Sequence, residues 1–196
     1  MSENTAKQEK IINAAARIFA QKGFHQAKMD EIAERAGVAK GTLYYNYSSK
    51  SKLFAATVVQ GLTRIMAEIE AGLSSDLPFP DHFKSLVAGM TKLYISHSEV
   101  TRIYANEMSS GIDDETRLEI QNVRQQFINF ISDILETGQS KGYLKSLSPK
   151  LAALSILGIV DTLCSTYIEN PEFDDIEDII ETIHTILSTG LLEKQQ

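Results

Sequence analysis

Apolar residues in this chain recur three and four positions apart almost from end to end, and that spacing limits what the chain can build. Ile11, Ala15, Ile18 and Phe19 mark one face of a first helix, roughly residues 5–21, with Gly23 as its stop signal. Met29, Ile32, Ala33 and Ala36 mark a short second helix closed by Gly37, and a third, about residues 40–46, turns Leu43 inward. Ser48 and Ser49 can cap a long fourth helix that starts near Lys50 and ends near Leu73. Phe83, Leu86, Val87, Met90 and Tyr94 give a fifth helix, and Ile103 to Met108 a short sixth. Asp113 and Asp114 precede a long seventh helix running through Ile120, Phe127, Ile131 and Leu135, where their charge suits the helix N-terminus. Ser148 and Pro149 form an N-cap followed by proline at the first helical position of the eighth helix. Ile176, Ile179, Ile180, Ile183 and Leu187 stripe the ninth. No segment sustains the alternation of a half-buried strand, and Tyr143 to Leu147 is the only weak strand candidate. The expected class is all-α, with about nine helices.

With 196 residues, 43% hydrophobic and 23% charged, the chain is large enough to bury its own core. A single cysteine, Cys164, excludes an intramolecular disulfide framework and a cysteine-based zinc cage. The N-terminus carries no apolar signal stretch, and the apolar run at residues 151–164 contains Ser155 and Asp161 and reads as too short to span a bilayer. A cytoplasmic protein with no membrane partner is expected. The net charge of −7 argues against nucleic acid until the chain is divided. Residues 1–52 hold nine Lys or Arg against five Asp or Glu, whereas residues 53–196 hold ten against twenty-one. That asymmetry suggests a polyanion-binding domain at 1–52 joined to a domain at 53–196 that does not touch the polyanion.

Residues 29–47 read MDEIAERAGVAKGTLYYNY. Two short helices joined through Gly37, with Ile32, Ala33, Val38 and Leu43 inward, have the spacing of a helix-turn-helix. The second helix offers Lys40, Thr42, Tyr44, Tyr45 and Asn46, groups that donate to phosphates or read base edges. No acidic residue lies between Val38 and Lys52, and Lys50 and Lys52 can add phosphate contacts. These residues alone leave open a helical interaction module, or a ligand-binding protein, that uses the same fold without DNA.

The stretch from Ile11 to Phe54 resembles the DNA-binding domain of the TetR family of bacterial transcription regulators. The resemblance rests on I-x-x-A-A-x-x-x-F at residues 11–19, Gly23-Phe24, D-E-I-A at 30–33, A-G-V-A-K-G-T-L-Y at 36–44 and K-x-x-L-F at 50–54. It implies a three-helix helix-turn-helix domain, followed by a larger helical domain for ligand binding and dimerisation. It implies a homodimer that lays two recognition helices in successive major grooves of a palindromic operator, and a repressor released by a small effector. Carried over by position, Lys40, Gly41, Thr42, Tyr44, Tyr45 and Asn46 face DNA, Lys50 clamps a phosphate, and Leu43 and Tyr47 are core. Where the family often has threonine before Met29, this chain has Lys28, which can reach a phosphate but cannot cap the helix in the same way. Asn46-Tyr47 replaces the usual His-Phe, and Asn46 retains the groups that pair with adenine.

The larger domain is expected to hold a pocket among the fifth to eighth helices. Phe83, Val87, Met90, Tyr94, Ile103, Phe127, Phe130, Ile131 and Ile134 are apolar candidates for its wall. Polar groups embedded there, His97, Arg102, Glu107, Arg124 and Asp161, are candidates for ligand contact, since a carboxylate in an apolar run wants a partner or a ligand. The segment L-x-P-x-L-A-A-L-S-I-L-G-I-V-D-T-L loosely resembles family members that regulate fatty-acid metabolism, which suggests acyl-CoA or another hydrophobic compound as effector. The stripe of Ile176, Ile179, Ile183 and Leu187, with Ile159 and Leu163 of the preceding helix, is more than one protomer is expected to bury, and is assigned to the dimer interface. A wholly internal core gives the same stripe. His25, His82, His97 and His184 are scattered, and the acidic runs at 113–115 and 172–178 lack the spacing and turn glycine of a calcium loop. No metal, cofactor or catalysis is expected.

Overall fold

A computed structural model describes residues 3–72, 79–99, 112–170, 172 and 175–192. Among them are eight helices: α1 (Glu3–Gln26), α2 (Met29–Ala36), α3 (Lys40–Asn46), α4 (Lys50–Gly72), α5 (Phe79–Ser96), α6 (Asp114–Ser140), α7 (Pro149–Glu169) and α8 (Ile176–Leu191). The short helix expected at 103–108 lies outside the described residues. The chain divides into two compact units, residues 1–63 with 99–124 and residues 64–98 with 125–196.

In the first unit, α2 packs against α1 and α3. Ile11, Ala15, Ile18, Phe19, Ile32, Leu43, Leu53, Phe54 and Val58 are buried, as their helical spacing requires. An aromatic cluster fills the centre. Phe54 meets Phe19 edge-on at 5.0 Å between ring centroids, and Phe24 at 5.1 Å. Gly23, at φ 73°, breaks the regular path of α1, so the chain bends there before one more turn to Gln26. Gly37 closes α2 in the left-handed conformation (φ 67°, ψ 33°), and the N–H of Val38 returns to the carbonyl of Ala33 at 3.0 Å. Neither Lys28 nor Ala39 supplies a side-chain cap to the helix it precedes.

In the second unit, α5, α7 and α8 pack on one another. Ser148 accepts the N–H of Leu151 at the head of α7, with Pro149 at the first position, and Asp175 accepts the N–H of Glu177 at the head of α8. The weak strand candidate reduces to an isolated antiparallel bridge between Leu144 and Leu192. There the Lys145 ammonium donates to the carbonyls of Thr189 and Gly190, satisfying the open end of α8.

One expectation is corrected and another extended. First, the stripe on α8 turns inward: Ile179, Ile183 and Leu187 are buried within their own protomer, against α5 and α7. Ile159, Leu163 and Ile176 are half-buried, and the apolar side chains left to solvent are Ile186 (51% exposed) on α8 with Leu151 (65%) and Leu154 on α7. The three-helix packing offers that stripe more apolar surface than the sequence alone disclosed. Second, the run at 151–164 is too short to span a bilayer, but the helix that holds it, α7, expected to end near Ile168, has 21 residues and is long and apolar enough to cross a membrane by length and composition, a test that a core helix also passes. Its uncharged serines, threonines and tyrosine lengthen the helix without adding charge. Its inward residues Ala152, Ala153, Ile156, Val160 and Cys164 are buried.

Candidate functional site

The helix-turn-helix presents its second helix as the sequence suggested. Leu43 is sealed in the core, and Lys40, Gly41, Tyr44 and Tyr45 are exposed. Tyr45 is 89% exposed, an aromatic ring left in water with no packing role. Thr42, Asn46 and Tyr47 are half-buried, and Lys28 is exposed at the head of α2. Burial raises the Tyr47 phenol above its ordinary range, opposed by its hydrogen bond with Gln60. Tyr47 thus belongs to the boundary of the core and not to its interior.

The cations around α3 are more engaged than sequence alone discloses. Lys40 pairs with Asp30 at 2.7 Å and lies 5.9 Å over the Tyr44 ring. The hydrogen bond and charge of Asp30 raise the Lys40 pKa, so the ammonium stays protonated. Lys52 pairs in the same way with Glu115, and Lys22 with Glu31. Exposed pairs of this kind add little stability, so a phosphate can compete for any of the three lysines.

Lys50, expected to clamp a phosphate, is also engaged within the chain. Its ammonium donates to the carbonyls of His25 and Ala27, both at 3.1 Å, and sits 4.6 Å over the Phe24 ring. It ties the start of α4 to the carbonyls left open where α1 ends. An ammonium has three protons, so one remains for a phosphate. Asn46 is also committed locally. Its amide N–H donates to the Thr42 carbonyl at 2.8 Å, and its oxygen accepts from Gln8 at 3.5 Å. Pairing with adenine requires that side chain to turn out first.

The second unit contains a small apolar cavity of about 30 Å³, walled by Phe83, Leu86, Val87, Met90, Ile131, Ile134, Leu135, Ile156 and Leu187. Of the nine apolar wall candidates, Phe83, Val87, Met90, Ile131 and Ile134 meet here. Phe127 and Phe130 are half-buried elsewhere on α6. The described polar candidates do not line this cavity. Asp161 finds its partner in the Tyr94 hydroxyl, which donates to it. His97 lies 3.4 Å from Glu68, which also holds Arg64. Arg124 is exposed and belongs to the first unit, while Arg102, Glu107 and Ile103 lie outside the described residues. Leu86, Leu135, Ile156 and Leu187 complete the wall though none is a candidate for it in sequence, where Leu187 is assigned to the dimer interface, because ordinary core leucines and isoleucines carry no mark of their role in sequence. Cys164 is buried, and its thiol is pushed up to about 12 by that burial and by the charge of Asp161, which leaves no thiolate for nucleophilic chemistry at neutral pH. Among the described residues, no group of three or more His, Cys, Asp or Glu could hold a metal ion.

Comparison with known proteins meets this geometry from both ends. Residues 11–57 match the model for bacterial regulatory proteins of the tetR family, and residues 76–170 match that for the tetracyclin repressor-like C-terminal domain. The fatty acid metabolism regulator protein of Bacillus subtilis is 28% identical over 99% of this chain and 100% of its own length. The fatty acid degradation regulator FadR from Bacillus halodurans superposes with a TM-score of 0.81 at 26% identity, covering 92% of this chain and 94% of that one. The FadR of Bacillus subtilis, solved in complex with stearoyl-CoA, superposes at 0.78 with 22% identity, covering 93% and 98%. An exposed recognition helix at one end of the sequence and a helical ligand domain at the other are thus matched by two models that together take in most of the chain, and the chain belongs to the TetR family of bacterial transcription regulators.

Proposed function

We propose that this TetR-family regulator represses transcription as a homodimer on a palindromic operator and releases it when a long-chain acyl-CoA enters the second unit. The observation that carries the reading is the cavity, whose wall is apolar throughout. Such a wall suits a hydrocarbon chain and offers nothing to a sugar or an ion. The relatives named for fatty acid metabolism and degradation support the same class of effector. At about 30 Å³ the cavity holds only a water-sized body or two, so an acyl chain must part α5, α6 and α7 to enter. A ligand that opens its own site binds the parted arrangement better than the closed one, and that difference is what allows it to switch a second site.

On the DNA side, Lys40, Gly41, Thr42, Tyr44, Tyr45 and Asn46 are read as the face presented to the major groove, with Lys28 and the remaining proton of Lys50 on phosphates. The dimer is read as forming through the exposed apolar residues Leu151, Leu154 and Ile186 of α7 and α8. The reading assigns the chain no catalysis. The test is fluorescence anisotropy with labelled DNA from upstream of the chain's own gene. Tight binding is expected, reversed by micromolar stearoyl-CoA and untouched by coenzyme A alone. Binding that stearoyl-CoA does not change would overturn the effector assignment, and absence of any sequence preference would overturn the operator assignment.

A further inference from the structure

His184 sits on α8 at the edge of its inward face, between Ile180 and Leu187. Its Nδ1 is buried and has no hydrogen-bond partner. Among the described residues it is the only buried side-chain polar atom left in that condition. The ring stands 6.1 Å from that of Phe83, centroid to centroid, and Phe83 and Leu187 are both part of the cavity wall. The neighbouring carboxylate, Glu181, one turn earlier, pairs with Lys84 at 2.9 Å and also feels the His184 ring, but gives Nδ1 no hydrogen bond. An orphaned ring nitrogen behind the wall of an otherwise apolar cavity is costly to keep unless something bonds to it in another state.

We infer that His184 is the polar anchor of the effector site, donating from Nδ1 to the carbonyl oxygen of an acyl chain that runs into the cavity past Phe83. This rests on the second unit being the effector domain. A neutral imidazole carries its proton on either nitrogen, so Nδ1 can be the donor that a carbonyl needs. On this inference the Phe83 ring, which stands beside that of His184 and walls the cavity, turns aside so that the occupied cavity reaches Nδ1. A fatty acid and an acyl thioester share this chemistry, a carbonyl at the head of an apolar chain.

The test is isothermal titration of the full chain and of His184→Leu with palmitoyl-CoA, palmitate and S-hexadecyl-CoA, a thioether that keeps the chain but lacks the carbonyl. For the wild type, palmitoyl-CoA or palmitate is expected to bind at least about tenfold more tightly than the thioether, and which of the two does so identifies the source of the carbonyl. His184→Leu is expected to remove that preference, leave the thioether within about twofold, and melt no lower than the wild type, because it deletes an unpaired polar atom. A wild type that binds the thioether as tightly as the carbonyl ligands overturns the inference without any variant. So does a folded His184→Leu that keeps the preference. A wild type that binds none of the three overturns the effector reading itself.

Discussion

At the scale of single residues, the helix proposed to face DNA is held by groups that serve the fold before they serve DNA. Lys50 is the clearest case, since its two carbonyl contacts join α4 to the end of α1. Lys50→Ala should therefore cost about 1–2 kcal/mol of stability, seen as a lower denaturation midpoint, and weaken binding to all DNA alike. The slope of affinity against salt should change by less than one full counterion per half-site. A stable variant that loses a whole counterion would return Lys50 to a purely phosphate-binding role. Tyr45, exposed and unpacked, makes the opposite case. Tyr45→Ala should leave the melting temperature unchanged and lower affinity for operator more than for random DNA. Asp113 adds a dependence on pH. Its carboxylate accepts the Thr116 N–H at 2.9 Å and hydroxyl at 3.1 Å and is held at about 2, below the ordinary 3.8. A carboxyl lowered by folding stabilises the fold in full above its unfolded pKa, and that contribution disappears as the pH falls from about 4 through 2. A carbon-detected titration of Asp113 should show its midpoint near 2, and a midpoint near 4 would remove this cap from the start of α6.

At the scale of elements, the periodicity of the sequence located the helices because burial of one face is what helices in water require. It could not say which of two apolar surfaces covers a given face. The α8 stripe shows the limit: Ile179, Ile183 and Leu187 read as surplus in sequence and are interior in the structure. Ile179→Glu with Ile183→Glu would bury two unpaired carboxylates inside the protomer, costing several kcal/mol and unfolding the second unit. Ile186→Glu with Leu151→Glu touches exposed positions, and sedimentation should show folded monomer in place of dimer. A folded dimer with those two glutamates would move the interface elsewhere. Gly37 was legible for a different reason, since its left-handed backbone at the end of α2 is a local need that only glycine meets without strain. An added Cβ there meets no atom within 4 Å, so Gly37→Ala should cost only the backbone strain, about 1–2 kcal/mol.

At the scale of the whole molecule, the DNA-binding half was readable because its residues are held to a shared task, the docking of one short helix in a groove of fixed shape. The effector half was readable only as a class. Its wall is built of leucines, isoleucines and a phenylalanine that serve any core, and the polar residues that stood out in sequence, Asp161 and His97, turned out to be satisfied by Tyr94 and Glu68. The nitrogen that is not satisfied, on His184, had no distinguishing neighbour in sequence. On the proposed reading, effector and operator oppose one another through this one chain. Linkage makes the opposition reciprocal, so DNA must weaken effector binding by the factor with which effector weakens DNA binding. The most direct measurement is the affinity for stearoyl-CoA with and without saturating operator. Weaker binding in the presence of operator, by a factor equal to that found for DNA release, is the expected result, and equal affinity in both conditions would contradict it.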